Sequence, residues 1–178
     1  MRAAGLLTLE RGFDGWTMDE LAEASEVSRR TLFNYCPTKV DAVLGPGPDL
    51  SADLLAEFVG GGPTGVLIED CRVLARQVLA EEPYDRQQML QHRRAVLSSP
   101  RLLLAVHERF EDVIGEVSEH ILAREGRDFG ADRAALLVRL LVTLFDSCLG
   151  GLADLPDDRP IAEAFDEALQ AARELFSG

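Results

Sequence analysis

Four side chains in a run of six, Arg29, Arg30, Thr31 and Asn34, carry the hydrogen-bonding groups that read nucleic acid. Arginine grips guanine through two hydrogen bonds, asparagine does the same with adenine, and a threonine methyl meets the methyl of thymine. Ser28 precedes them as a helix N-cap, which would put all four on one short helix. The segment 28–40 adds Lys39 and contains no acidic residue. It forms a small positive island in a chain of 178 residues whose formal net charge is −13. Residues 1–45 hold five basic and seven acidic side chains, and residues 46–178 hold thirteen and twenty-four. Such an acidic body repels nucleic acid everywhere except at the island.

Other chemistries find little support. His92, His107 and His120 lack a metal-helix spacing; only His107 and Glu111 stand four apart. Cys36, Cys71 and Cys148 are odd in number and far apart, as free thiols of a reducing cytoplasm would be. Gly60-Gly61-Gly62 follows a helix-like run and lacks the P-loop lysine, so it reads as a linker. No Ser/His/Asp or Cys/His pairing emerges. The expectation is a protein with no catalytic residues, no metal and no cofactor. A composition of 47% apolar and 28% charged residues excludes wholesale disorder, collagen-like structure and a membrane bundle. No basic-then-apolar signal segment opens the chain. The most apolar stretch, 134–153, contains Arg139 and Asp146, which argues against a membrane partner.

The elements that must position the island read as helices. A first helix ends at Gly12, and Asp14-Gly15 marks a turn. Thr17 with Glu20 makes a capping box for a short second helix. Ser28 caps a third, which Pro37 stops, and Thr38 caps a fourth. Gly45-Pro46-Gly47-Pro48 breaks the pattern and suggests a boundary between domains 1–45 and 46–178. Six further helices are predicted over 50–59, 64–81, 84–97, 100–124, 131–153 and 160–176. Trp16, beside Phe13, reads as a core plug. No strand-like alternation appears, so the fold class is all-α.

Residues 17–35 have the layout of a helix-turn-helix: Leu21, Val27, Leu32 and Tyr35 point inward, Ala22 permits close approach, and Ser25-Glu26-Val27 turns the chain. Such a motif lays its second helix in the DNA major groove. Many buried helix pairs share the spacing, so spacing alone leaves both readings open. The run Gly12-Phe13, Thr17-Met18-Asp19-Glu20-Leu21-Ala22, Val27-Ser28-Arg29-Arg30-Thr31-Leu32-Phe33-Asn34-Tyr35 and Pro37-Thr38-Lys39 is more specific. It resembles, without gaps, the tetracycline-repressor-type (TetR) family of bacterial regulators. The resemblance implies an N-terminal three-helix DNA-binding domain followed by a helical ligand-binding and dimerisation domain. It implies phosphate contacts from Thr17, Tyr35 and Lys39, and recognition-helix contacts from Ser28, Arg29, Arg30, Thr31, Phe33 and Asn34. The sequence departs from the family pattern at Glu26, where Gly is common, and at Cys36, where Phe is usual. The family also carries a basic arm and an extra helical turn ahead of residue 1.

In the second domain, the helix over 131–153 is apolar on two sides, with Leu137, Leu141, Leu144, Phe145, Cys148 and Leu152 on one stripe and Val138, Val142 and Leu149 on another. Two apolar faces need two partners, and a second subunit is one of them. The last helix carries Ile161, Phe165, Ala168, Leu169, Ala172 and Phe176 on one stripe. The resemblance implies that these two helices pair in a homodimer through Val138, Val142, Leu149, Phe165, Leu169 and Ala172. It also implies an effector pocket, for which helical stripes suggest Cys71, Met89, His92, His107, Phe110, Ile114 and Phe145. The function expected is a cytoplasmic repressor that leaves a palindromic operator on double-stranded DNA when a small hydrophobic or amphipathic effector binds. The alternative is a helical protein-interaction module whose helix-turn-helix no longer binds DNA. A small helical enzyme with its site in a central cavity ranks last.

Overall fold

The structure is a computed structural model that describes residues 2–47, 50–80, 86–151, 153 and 160–177. Among these there are ten α-helices, one 3-10 turn and no strand. In chain order they are α1 (Arg2–Arg11), α2 (Met18–Ala24), α3 (Arg29–Tyr35), α4 (Lys39–Leu44), α5 (Ala52–Val59), α6 (Leu67–Ala80), α7 (Arg86–Leu97), α8 (Pro100–Glu125), α9 (Ala131–Gly151) and α10 (Ile161–Ser177). The 3-10 turn, Arg127–Phe129, was not expected from the sequence. Pro48, Tyr84 and the residues around 81 and 152 that bounded predicted elements lie outside the described residues.

The chain packs as two units. The first comprises Met1–Gly47 and Tyr84–Arg109, and the second Pro48–Pro83 and Phe110–Gly178. This differs from the expected division at residue 45. The Gly-Pro break does end α4, but Ala95 and Val96 of α7 and Leu102 of α8 are buried in the first unit. A punctuation signal marks where the chain leaves a helix. It does not say which later helix returns to the same core.

In the first unit, Ala4, Leu7, Phe13, Trp16, Leu21, Ala22, Leu32, Ala42, Val43 and Leu44 form one core with Val96 and Leu102. α1 packs on α4 and α7, and α2 on α3. Gly12 takes φ of 76°, the left-handed conformation that suits a residue without Cβ, and closes α1 through its N–H to Thr8 O at 2.9 Å. Gly15 is required for space: a Cβ there would lie 2.0 Å from the Arg11 carbonyl oxygen. His92 of α7 reaches the Val43 carbonyl at 3.0 Å, and Arg109 of α8 donates to the Gly45 carbonyl at 2.6 Å. The buried C-terminal end of α4 thereby has its carbonyls satisfied from two other helices.

In the second unit, Phe58, Cys71, Leu74, Ile114, Ile121, Leu122, Ala134 and Val138 pack together. α10 lies on α6 and α9 and buries Ile161, Phe165 and Leu169 at the four-residue spacing of a helix stripe. Phe176 was expected on that stripe but is 80% exposed, because it lies beyond the helix length that its neighbours cover. A buried ion pair organises the opposite end. Arg124 Nη2 lies 2.6 Å from Asp70 Oδ2, with both side chains almost wholly enclosed. Asp70 Oδ1 accepts from the backbone and hydroxyl of Thr64 at 2.7 and 2.6 Å. Arg124 also donates to the carbonyls of Phe58, Gly62 and Gly61. The glycine run is therefore a clamped turn, not a linker. Burial raises the Asp70 carboxyl, but the Thr64 and Arg124 hydrogen bonds outweigh it and hold the group below its ordinary value of 3.8.

Arg124→Met leaves Asp70 as a buried unpaired charge and should cost about 3–5 kcal/mol, read as a lower urea midpoint. Asp70 ionises more readily in the folded chain than in the unfolded one. Its stabilisation is complete above the ordinary value of 3.8 and is lost as pH falls through the lower folded value. Asp70→Asn should flatten that acid limb of a stability–pH profile.

Candidate nucleic-acid interface

The helix-turn-helix is built by its caps. Thr17 accepts the Glu20 amide at 3.2 Å, and the Glu20 carboxylate takes the Thr17 amide at 2.7 Å and its hydroxyl at 2.9 Å. The Thr17 hydrogen bonds, with help from Arg11, hold the Glu20 carboxyl below its usual range. Ser28 Oγ accepts the Thr31 amide at 3.0 Å and lies 2.7 Å from the Thr31 hydroxyl, which starts α3. At the end of α2 the Glu26 amide meets the Glu23 carbonyl and the Val27 amide meets the Ala22 carbonyl, each at 3.0 Å. This is a Schellman closure, and Glu26 fills its left-handed position at φ 55°. Glycine would fit there without strain.

α3 presents Arg29, Arg30, Thr31, Asn34 and Tyr35 to solvent, with Ser28 exposed ahead of it. Leu32 is its buried residue, facing Leu21 and Ala22 in the core. Two expected inward residues turn out otherwise. Tyr35 is 82% exposed and Val27 39%. A seven-residue helix buries one residue per turn against α2, and Leu32 takes that place. Tyr35, one turn on and the last residue of α3, is left uncovered. Its exposure suits the contact role implied by the resemblance. Phe33 is half-exposed, with the Arg29 guanidinium 5.5 Å from its ring centroid.

Several expected phosphate contacts already have partners. The Thr17 hydroxyl donates to Glu20. Asp41 takes the Thr38 amide at 3.1 Å and the Thr38 hydroxyl at 2.6 Å, so the start of α4 holds its own carboxylate beside the lysine expected to meet phosphate. Lys39 donates to the Trp16 carbonyl, and its Nζ lies 4.2 Å from the Trp16 ring centroid and 5.1 Å from that of Phe13. Burial pushes the Lys39 ammonium down, with Asp14 and Glu20 opposing and Arg101 assisting. Lys39 is thus first a tie between α4 and the loop before α2. Arg29 pairs with Asp19 of α2. No described protein partner engages Arg30 or Asn34.

The other expected site residues scatter. Cys71 and Ile114 are buried in the core of the second unit, His107 is exposed, and His92 is bound to Val43. Burial pushes the Cys71 thiol up to about 12, which leaves it protonated and inert. Met89, Phe110 and Phe145 are half-buried. Met89, His92 and His107 belong to the first unit and Cys71, Phe110, Ile114 and Phe145 to the second. Of the expected dimer residues, Val138, Phe165 and Leu169 are already buried within the chain, whereas Val142, Leu149 and Ala172 are half-buried. A stripe marks an apolar face but does not say which neighbour covers it. The apolar groups left outside on α9 are Leu136 and Leu140, and on α10 Leu175 and Phe176.

Two substitutions probe this unit apart from any ligand. Glu26→Gly relieves the left-handed strain and should stabilise by about 1 kcal/mol, raising Tm by roughly 2–4 °C. Lys39→Ala orphans the Trp16 carbonyl and removes two ring contacts, and should cost about 1–3 kcal/mol in thermal unfolding.

Residues 1–42, which run from α1 into α4, match the family described as bacterial regulatory proteins, tetR family. Over 99% of its length the chain is 29% identical to the HTH-type transcriptional regulator TcmR of Streptomyces glaucescens, covering 83% of that protein. α9 is long and apolar enough to cross a membrane by length and composition. It nevertheless packs on α10 and pairs Arg139 with Glu111 through two hydrogen bonds. An all-helical chain with this capped helix-turn-helix thus matches the tetR family of bacterial regulatory proteins over residues 1–42 and is similar over nearly its whole length to a helix-turn-helix transcriptional regulator.

Proposed function

We propose that the protein is a ligand-responsive, sequence-specific repressor in the cytoplasm, acting as a homodimer on a palindromic operator. The observation that carries this reading is the exposed face of α3. Arg30, Thr31 and Asn34 stand together in solvent, and Arg30 and Asn34 lack described protein partners although the surrounding cations are engaged. Arg30 would grip guanine and Asn34 adenine, while Ser28, Thr31 and Tyr35 would meet phosphate or thymine. Phe33 would pack against the backbone, and Lys39 and Thr17 would lie behind it, chiefly as structural ties. The DNA-binding domain is residues 1–45, braced by α7 and the start of α8. The helices after residue 46 would bind effector and the second subunit.

One short recognition helix gives little discrimination, and two about 34–36 Å apart read a palindrome in successive major grooves. The exposed Leu136, Leu140, Leu175 and Phe176 are apolar surface that a second subunit would cover. An open groove between α9 and α10, about 350 Å³ and lined by small residues such as Gly151, Ala164, Ala168 and Ala171, would admit a close helix. A hydrophobic or amphipathic effector would favour a dimer whose recognition helices no longer match the groove spacing. The protein would act without catalysis.

A selection from random double-stranded DNA at two salt concentrations should enrich a palindrome, and less strongly at the higher salt. On that palindrome Arg30→Ala and Asn34→Ala should each cost about 1–3 kcal/mol and relax preference at one position. No enrichment at either salt would favour the protein-interaction reading. Leu140→Arg should give a monomer in sedimentation and lose affinity for the palindrome. A dimer unchanged by it would move the interface elsewhere.

A further inference from the structure

The cations around the recognition helix are largely engaged within the protein. Arg11 meets Glu20 at 2.9 Å, and Lys39 is given to the Trp16 carbonyl. Arg29, the first residue of α3, is the cation best placed to meet a backbone phosphate alongside Arg30. Its Nε lies 3.1 Å from Asp19 Oδ1 and its Nη1 lies 3.2 Å from Asp19 Oδ2. The two side chains are 68% and 61% exposed, so the pair is formed in water at the surface where DNA would arrive. No spacing rule joins Asp19 to Arg29, since they sit on different helices ten residues apart.

We propose that Asp19 is a built-in competitor of the DNA backbone, holding Arg29 so that sequence-independent affinity stays low while base reading by Arg30 and Asn34 is untouched. The inference rests on the reading of α3 as the DNA-facing helix. An exposed ion pair is weak, so phosphate can displace Asp19. The exchange nonetheless swaps one anion for another and leaves the displaced carboxylate near the phosphates. Sequence-independent binding is driven by counterions released as cations neutralise phosphates. A cation already paired within the protein contributes little to that term. In a chain with net charge −13, the number of free cations at the interface then sets how strongly the protein holds DNA that lacks its site.

The test is fluorescence anisotropy with a duplex of random sequence over a series of salt concentrations, with circular dichroism confirming that each variant is folded. Asp19→Asn should tighten binding about three- to five-fold per subunit at low salt. It should also steepen the salt slope by about one per subunit. Asp19→Glu keeps the charge and should stay close to the unsubstituted protein. In an Arg29→Ala background the gain from Asp19→Asn should fall by more than half. The proposal is overturned if Asp19→Asn leaves affinity and slope unchanged or weakens binding. It is equally overturned if the full gain persists without Arg29, since Asp19 then acts by simple repulsion. If the unsubstituted protein binds and Arg30→Ala weakens it while Asp19→Asn does nothing, this proposal fails and the interface reading stands. If none of these proteins binds any duplex, the interface reading itself fails.

Discussion

The DNA-binding unit depends on how Trp16 is held. Its ring is 2% exposed in the core, its Nε1 donates to the Thr8 hydroxyl at 3.1 Å, and Thr8 in turn donates to the Ala4 carbonyl at 2.8 Å. Its backbone carbonyl takes the Lys39 ammonium, and the next residue, Thr17, caps α2. One residue thus connects α1, α2 and α4. α3, which buries little more than Leu32, is placed by what surrounds it. Short helices of six or seven residues are not stable alone, because nucleation is costly and each has few internal hydrogen bonds. Their position has to come from a shared core and from caps.

That arrangement explains why the recognition surface can be so polar. The apolar burial that keeps α3 in place is supplied from behind by Leu21, Ala22 and Leu32. Its outer face is free to carry arginine, threonine and asparagine. The same economy explains the acids. Glu20 and Asp41 are needed at the starts of α2 and α4 to satisfy amides, and they bring negative charge to a unit meant to meet phosphate. Glu26 adds another at a turn that glycine would fit better. Local stability and attraction to DNA pull in opposite directions here, and the pairing of nearly every nearby cation is the result.

The second unit solves a different problem. Its helices are longer, and α6, α9 and α10 meet through apolar stripes reinforced by ion pairs of Arg72 and Arg76 with Asp166. Its least typical feature is the enclosed Arg124–Asp70 pair, whose hydrogen bonds tie the start of α6, the end of α8 and the glycine turn after α5. A buried pair adds little net stability over an apolar substitute, but it permits only one arrangement of these ends.

The helices, their caps and the helix-turn-helix were legible in the sequence because they are set by nearby residues. Thr17 with Glu20, Ser28, Thr38 and Gly12 act within a few positions of themselves, and the apolar spacing of α10 shows in any window of that length. What only the tertiary structure decided involves residues that meet from different helices. Asp19 with Arg29, Lys39 with Trp16, Asp70 with Arg124, and the entry of α7 into the first core leave no periodic trace. The same reason accounts for the misplaced Tyr35, Val138 and His107. Helical periodicity reports that a face is apolar or polar, and only packing against a particular neighbour determines whether that face is covered.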